Sequence, residues 1–344
     1  MTENSTARLR PGDWVRVRTV EEIAATLDDR GQLDGLPMMP EMLAFVGRRC
    51  RVASRAEAAC ATDQVTAIRR LRNVVHLEGL RCNGVDHGQC QSGCLIFWHE
   101  AWLESVDATL SQVRSAEAAT SDLLPLLQLA TQDSPAGEQR RFRCQATQLW
   151  QASEKLPVWN PSQYLRQITA NGVAVGRVAT SVLATLAQKI GQRLRGRPTH
   201  VAEGHRTPVR RLGLTVGELV EVRPLAEIEP TLDKHGNNRG LWFDPQMANY
   251  CGRKFRVAQS IERMIDEGSG RLIELKTPTV TLESVVCDGC WHRFCSREAR
   301  LFWRETWLKR VTNPAQESDS PSPHISPATV GSLGSAPAPA AVRD

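Results

Sequence analysis

Four residues able to bind a soft metal ion fall within one short stretch of this 344-residue chain: Cys82, His87, Cys90 and Cys94, in CNGVDHGQCQSGC. A second stretch, CDGCWHRFC, carries Cys287, Cys290, His292 and Cys295. Thiolates and imidazole arranged tetrahedrally suit Zn²⁺, and a turn can supply them with little demand on the rest of the fold. Laid over each other at a constant shift of 205, Cys82, Gly84, His87 and Cys90 fall on Cys287, Gly289, His292 and Cys295. Cys94 falls on Ala299 and Cys290 falls on Val85, so each stretch keeps four candidate ligands by a different route. That constancy predicts two zinc sites formed under one requirement.

The competing reading is ordinary buried cysteine, which packs as a small hydrophobe. Such thiols scatter along strands and do not gather with histidine around glycine in a polar turn. Neither spacing is that of a standard zinc knuckle or ribbon, so Cys60, Cys144 or Cys251 is a candidate to complete a site. Three cysteines with one further thiol could instead hold an iron–sulfur cluster. Lone Cys144 also reads as a structural thiol, and Cys50, opposite Phe255 in the alignment, as a core position. His76 and His99 face Thr281 and Arg304, are not shared, and read as surface or local polar residues. The sequence contains no Gly-rich phosphate loop, serine nucleophile elbow or zinc-protease helix, and no catalytic residue can be assigned.

The elements that must position these ligands come as a repeat. The shift of 205 holds from Gly12 and Gly217 through Leu103 and Leu308, 92 positions of which about a third are identical. A duplicated domain follows. In the first copy Asp13 to Arg18 alternates as a strand, and Thr19 with Glu22 has the spacing of a capping box. Pro40 starts one helical turn, and Arg49 to Arg55 and Asn73 to Leu80 read as strands. Residues 96–118 carry a long helical pattern with Phe97, Trp98 and Trp102 as its buried stripe. Glu100 and Glu305 then sit in a first helical turn, favoured by the helix dipole, or pair with the histidine of the site.

The domain reading is a flexible N-terminus 1–11, copy one 12–118, a linker 119–139 with one apolar anchor, a helical connector 140–200, copy two 212–311 and a disordered tail 312–344. In the connector, a helix over 161–170 should stop at Asn171-Gly172. A second over 173–194 presents an apolar stripe that packs on a barrel, touches a membrane surface or pairs in a dimer. The tail is rich in Pro, Ala and Ser.

The run G-x-W-V-R-V (Gly12 to Val17), the loop GLPMMP (Gly35 to Pro40) and F-V-G-R-x-x-R-V (Phe45 to Val52) resemble the SH3-like barrels of nitrile hydratase beta chains. The resemblance covers about 45 residues per copy and implies a small barrel but no active site. With FW-x-E-x-WL added, the pattern resembles uncharacterised bacterial Cys/His-rich proteins built from a duplicated domain. The expected fold is therefore α+β: tandem SH3-like barrels, each followed by a Cys/His turn and an aromatic helix, joined by a helical connector.

The chain is 41% hydrophobic, enough for packed cores, and its net charge is +5. Of 43 basic residues six are lysine and 37 arginine, a bias that permits phosphate contacts without requiring them. No apolar run is long enough to span a membrane. The opening MTENSTARLRPGDW lacks a signal-peptide core, so a cytoplasmic location with reduced thiols is expected. Closed four-ligand sites leave no position for substrate, which favours a binding or scaffold module with a protein partner over an enzyme. The rivals are a redox or catalytic protein with a cluster or open zinc site, and a nucleic-acid binder using small barrels and arginine.

Overall fold

Alternation of Trp14, Val15, Arg16 and Val17 makes the first strand, β1 (Trp14–Val17), with both valines fully buried. The computed structural model describes residues 8–61, 68–107, 120–132, 140–157, 160–181, 183 and 207–311. Thr19 and Glu22 form the expected capping box, opening helix α1 (Val20–Ala24). The two-residue ladder β2 (Gln32–Leu33) and β3 (Leu36–Pro37) leads to a 3₁₀ turn, Pro40–Phe45. Then come β4 (Arg49–Arg55), β5 (Ala59–Cys60), β6 (Ile68–Arg70), β7 (Val74–Arg81), β8 (Leu95–His99) and β9 (Leu103–Ser105). The sheet order is β8-β7-β4-β1-β9, every pair antiparallel.

The second half repeats this. It comprises β11 (Leu219–Val222), β12 (Asn237–Asn238), β13 (Leu241–Trp242), the 3₁₀ turn Pro245–Tyr250, β14 (Lys254–Ser260), β15 (Arg263–Ile265), β16 (Leu272–Glu274), β17 (Thr279–Val286), β18 (Arg300–Arg304) and β19 (Leu308–Arg310). Its sheet runs β18-β17-β14-β11-β19, and each sheet strand stands 205 residues from its counterpart. The fold is thus α+β, with two curled five-strand antiparallel sheets and few helices.

Residues 95–105 correct the expected aromatic helix. They form β8, a 3₁₀ turn Glu100–Trp102 and β9; residues 108–118 lie outside the described residues. All five β8 residues are buried, and a strand covered on both faces loses the alternation that distinguishes it from a helix. Trp98 and Trp102 fill the first core, and Trp303 and Trp307 the second. Trp102 Nε1 donates to Thr26 Oγ1 at 3.0 Å, and Trp307 Nε1 to Thr231 Oγ1 at 2.9 Å.

The glutamates at matching positions, Glu100 and Glu305, pin chain segments rather than serve a helix dipole. Glu100 accepts from Leu9 N at 3.1 Å, and Glu305 accepts from the backbone of Leu212, Gly213 and Leu214. Residues 8–11 are therefore tied down, with Leu9 buried; residues 1–7 lie outside the described residues.

Between the sheets, the expected linker contains helix α2 (Thr120–Ala130), whose Leu123 and Leu127 join the first core. Strand β10 (Glu154–Lys155) pairs with β6, while Phe142 N donates to Gly270 O at 2.8 Å. The connector thus touches both halves. Arg141 to Ala152 is mostly turns, where a strand-to-helix passage is expected. Helix α3 (Ser162–Asn171) stops at Gly172, whose φ of 65° is the left-handed cap that Asn-Gly announces. Of the 173–194 helix, residues 175–181 are helical with Val178 buried and Val175 exposed; Val182, Leu186, Ile190 and Leu194 lie outside the described residues, as does the tail 312–344. Among the described residues no helix is long and apolar enough to cross a membrane.

Candidate metal centres

Each Cys/His turn leaves one long strand and returns into the next. Cys82 N donates to Cys94 O at 2.9 Å, and Cys287 N to Ala299 O at 2.8 Å, which closes both loops at their necks. Inside, His87 N reaches Gly84 O at 3.0 Å and His292 N reaches Gly289 O at 2.9 Å. Gly84 and Gly289 have φ of 70° and 71°, and a Cβ there would overlap the carbonyl oxygen of Cys90 or Cys295. Only glycine fits these two positions.

In the first half the turn folds onto the 3₁₀ turn Pro40–Phe45. One ligand atom each from Glu41, Cys82 and His87 lie within 4.8 Å of one another, and Glu41 and His87 are both buried. Glu41 Oε1 stands 3.8 Å from His87 Nδ1. Both carboxylate oxygens and both ring nitrogens are buried without a hydrogen-bond partner among the described residues. Buried polar groups in native proteins are nearly always satisfied, and leaving one bare costs a few kcal/mol. A cation between them removes that cost.

Cys82, His87, Cys90, Cys94 and Cys144 line one small cavity of about 30 Å³. Burial pushes the Cys94 thiol up to about 12 and the Cys144 thiol up to about 11. Burial, reinforced by the neighbouring Glu41 carboxylate, raises Cys82 as well. Thiols so placed stay protonated at neutral pH until a metal displaces the proton, so affinity must fall on acidification.

The second turn sits on the equivalent 3₁₀ turn with a different carboxylate. Glu41 is replaced by Gln246, and Asp244, two residues earlier, lies 2.9 Å from His292 Nε2. Gln246 Nε2 donates to the same Asp244 oxygen at 3.1 Å. Burial pulls the imidazole's pKa down, but the hydrogen bond to Asp244 and the negative charge of Asp244 and its neighbours together raise it. With Nε2–H donating to Asp244, Nδ1 is the ring's acceptor, the tautomer that carboxylate–histidine–metal arrangements use.

Cys295 Sγ lies 3.3 Å from Cys60 Sγ, which comes from β5 of the first half. The hydrogen bond from Cys295 lowers Cys60 to about 6 and drives Cys295 up. The Cys287 thiol is pushed up to about 11 by burial, and Cys60 and Asp244 are among its charged neighbours.

Cys290 has other partners. Its Sγ takes Arg177 Nη2 at 3.6 Å, and its carbonyl takes Ser181 Oγ at 2.7 Å, so the thiol faces the helical residues 175–181. Cys251 is half-buried against the second core near Glu229 and joins neither cluster. Cys50 packs on the first core. His76 and His99, read as surface or local polar residues, are both buried, because β7 and β8 lie inside, and each makes local hydrogen bonds.

Glu41 and Asp244 are the residues that sequence spacing misses. One signal does mark Glu41: it is the lone charge in the apolar run LPMMPEMLAF. Comparison with protein-family models, with curated proteins and with solved structures returns no match to this chain.

Proposed function

We propose that this is a zinc-binding protein whose metal is structural and whose role is to present the two sheets as a binding or scaffold module. The observation that carries this reading is the buried group Glu41, Cys82 and His87, with four polar atoms left bare. Sulfur, imidazole and carboxylate together are a zinc donor set, and Cys90, Cys94 and Cys144 around the same small cavity offer further thiolates. The cavity is small, about 30 Å³, which favours structure over catalysis. The strand order, taken with the sequence resemblance, favours SH3-like barrels as the parent form of each half.

Four cysteines around one cavity also suit an iron–sulfur cluster, the second reading. Elemental analysis of the purified, untagged protein beside its visible spectrum separates the two. Zinc without colour, lost in Cys82→Ser, is the expected result. Iron with a visible band establishes the cluster instead, and a metal content unchanged in Cys82→Ser removes the site.

A further inference from the structure

We infer that a second metal centre is assembled across the two halves, with Cys60 of the first joining Cys287, His292 and Cys295 of the second, and Cys290 taking no part. The inference rests on the metal-binding reading above, but on a separate set of residues.

Reciprocal packing places Cys60 there. Each Cys/His turn lies against the short hairpin of the other half. Gln91 N donates to Arg263 O at 3.0 Å, and Ser296 N donates to Ala58 O at 2.8 Å. Ile265 N reaches Cys90 Sγ at 3.4 Å, and Cys60 N reaches Cys295 Sγ at 3.2 Å. Position 60 is thus the counterpart of position 265. The first half has a buried isoleucine facing its turn; the second has a thiol.

The ligand balance follows. The first cavity has Cys94 and Cys144, neither of which has a thiol counterpart in the second half. Cys60 makes good that loss, whereas Cys290 is drawn away by Arg177. Two thiolates on one zinc, with Zn–S of about 2.3 Å and tetrahedral angles, stand about 3.8 Å apart. The Cys60 and Cys295 thiols, at 3.3 Å, already stand near that spacing, and Cys287 and His292 must close in on the pair as the ion binds. Arg297 braces the approach, donating to Cys60 O at 2.8 Å while gripping Glu267 with both Nη atoms. An ion here clasps β5 of one half to the turn of the other.

The test is zinc stoichiometry of the full-length protein and of Cys60→Ser, Cys290→Ser and Cys82→Ser, each purified under reducing conditions. Wild type and Cys290→Ser should hold two equivalents, and Cys60→Ser and Cys82→Ser one each. Hydrogen exchange should rise at 58–60 and 296–297 in Cys60→Ser, while β4 and β7 stay protected and show that the variant is folded. Two equivalents in Cys60→Ser, with one lost in Cys290→Ser, overturns the composite site and restores a single-half ligand set. One wild-type equivalent that survives in Cys60→Ser but not in Cys82→Ser overturns it too, and leaves the first site standing. One that survives in Cys82→Ser but not in Cys60→Ser supports the composite site and removes the first. Wild type prepared in parallel without reductant that is zinc-free, with Cys60 and Cys295 linked in one oxidised peptide, overturns it in favour of a disulfide.

Discussion

In the first half the carboxylate beside the histidine is Glu41, inside its 3₁₀ turn; in the second it is Asp244, the residue that caps the equivalent turn. Glutamate reaches one methylene further than aspartate, so the two carboxylates approach their histidines from different backbone positions. They also act differently: Glu41 stands 3.8 Å from its ring nitrogen, whereas Asp244 hydrogen-bonds at 2.9 Å. The thiols diverge in the same way, Cys144 of the connector lining the cavity of the first half while Cys60 of the first half stands beside Cys295 of the second. What the halves share is a turn skeleton with one glycine, one histidine and two cysteines. What fills the remaining space is decided by whatever element lies nearest, which no alignment of one half with the other reveals.

The largest difference between the halves lies at Glu57 and its counterpart Glu262. Glu57 is buried and paired with Arg8, Arg55, Arg70 and Arg166, joining the N-terminal segment, β4, β6 and α3. Glu262 is exposed. Removing one partner from a buried ion cluster costs about 3–5 kcal/mol, and an exposed glutamate costs within about 0.5 kcal/mol. Denaturant melts of Glu57→Ala and Glu262→Ala should differ by that margin; equal stabilities break the contrast.

His76 gives the next effect. Its Nδ1–H donates to Ile96 O at 2.9 Å and its Nε2 accepts from Ser296 Oγ of the other half at 3.1 Å, while Thr281 at the equivalent place cannot titrate. Burial lowers its pKa to about 4. The unfolded chain takes up a proton near pH 6.5, where the native ring stays neutral. Stability is therefore full above that pH and falls as pH drops towards 4, by an amount approaching 3 kcal/mol, about 1.4 per unit. His76→Gln should show a shallower loss over this interval; an identical slope would place the titration elsewhere.

The smallest effect tests likeness instead of difference. Thr26→Val and Thr231→Val each strand a buried indole N–H, at a cost of about 1–3 kcal/mol. Thermal unfolding should show nearly equal losses in the two variants. A twofold disparity would mean that the cores, like the sites, have diverged between the halves.

Much of the scaffold was legible from residue order. Alternation marks β1, the Thr19–Glu22 spacing marks α1, and Asn171-Gly172 marks the end of α3, because each is local chemistry within a few residues. The helix expected over 96–118 fails at Leu95–His99 because continuous burial erases periodicity. Cys82, His87, Cys287, His292 and Cys295 are legible as ligand candidates by their types and spacing. Glu41 and Asp244 are not, since their nearness to the histidines depends on how a 3₁₀ turn folds over a loop more than forty residues away. Cys290, attractively spaced from Cys287, meets Arg177 in the structure, a contact that its spacing does not announce.

The exchange of hydrogen bonds between turn and hairpin has the form of an isologous interface, in which a surface patch meets its own likeness across a two-fold axis. Two separate chains related by such an axis must place the same residue at both copies of every position. A single chain carrying both halves escapes that rule. It can put a thiol at position 60 and an isoleucine at 265, so that one seam admits a ligand while its mirror stays an apolar plug. Covalent continuity here does more than hold the halves together: it lets the two sides of one interface specialise.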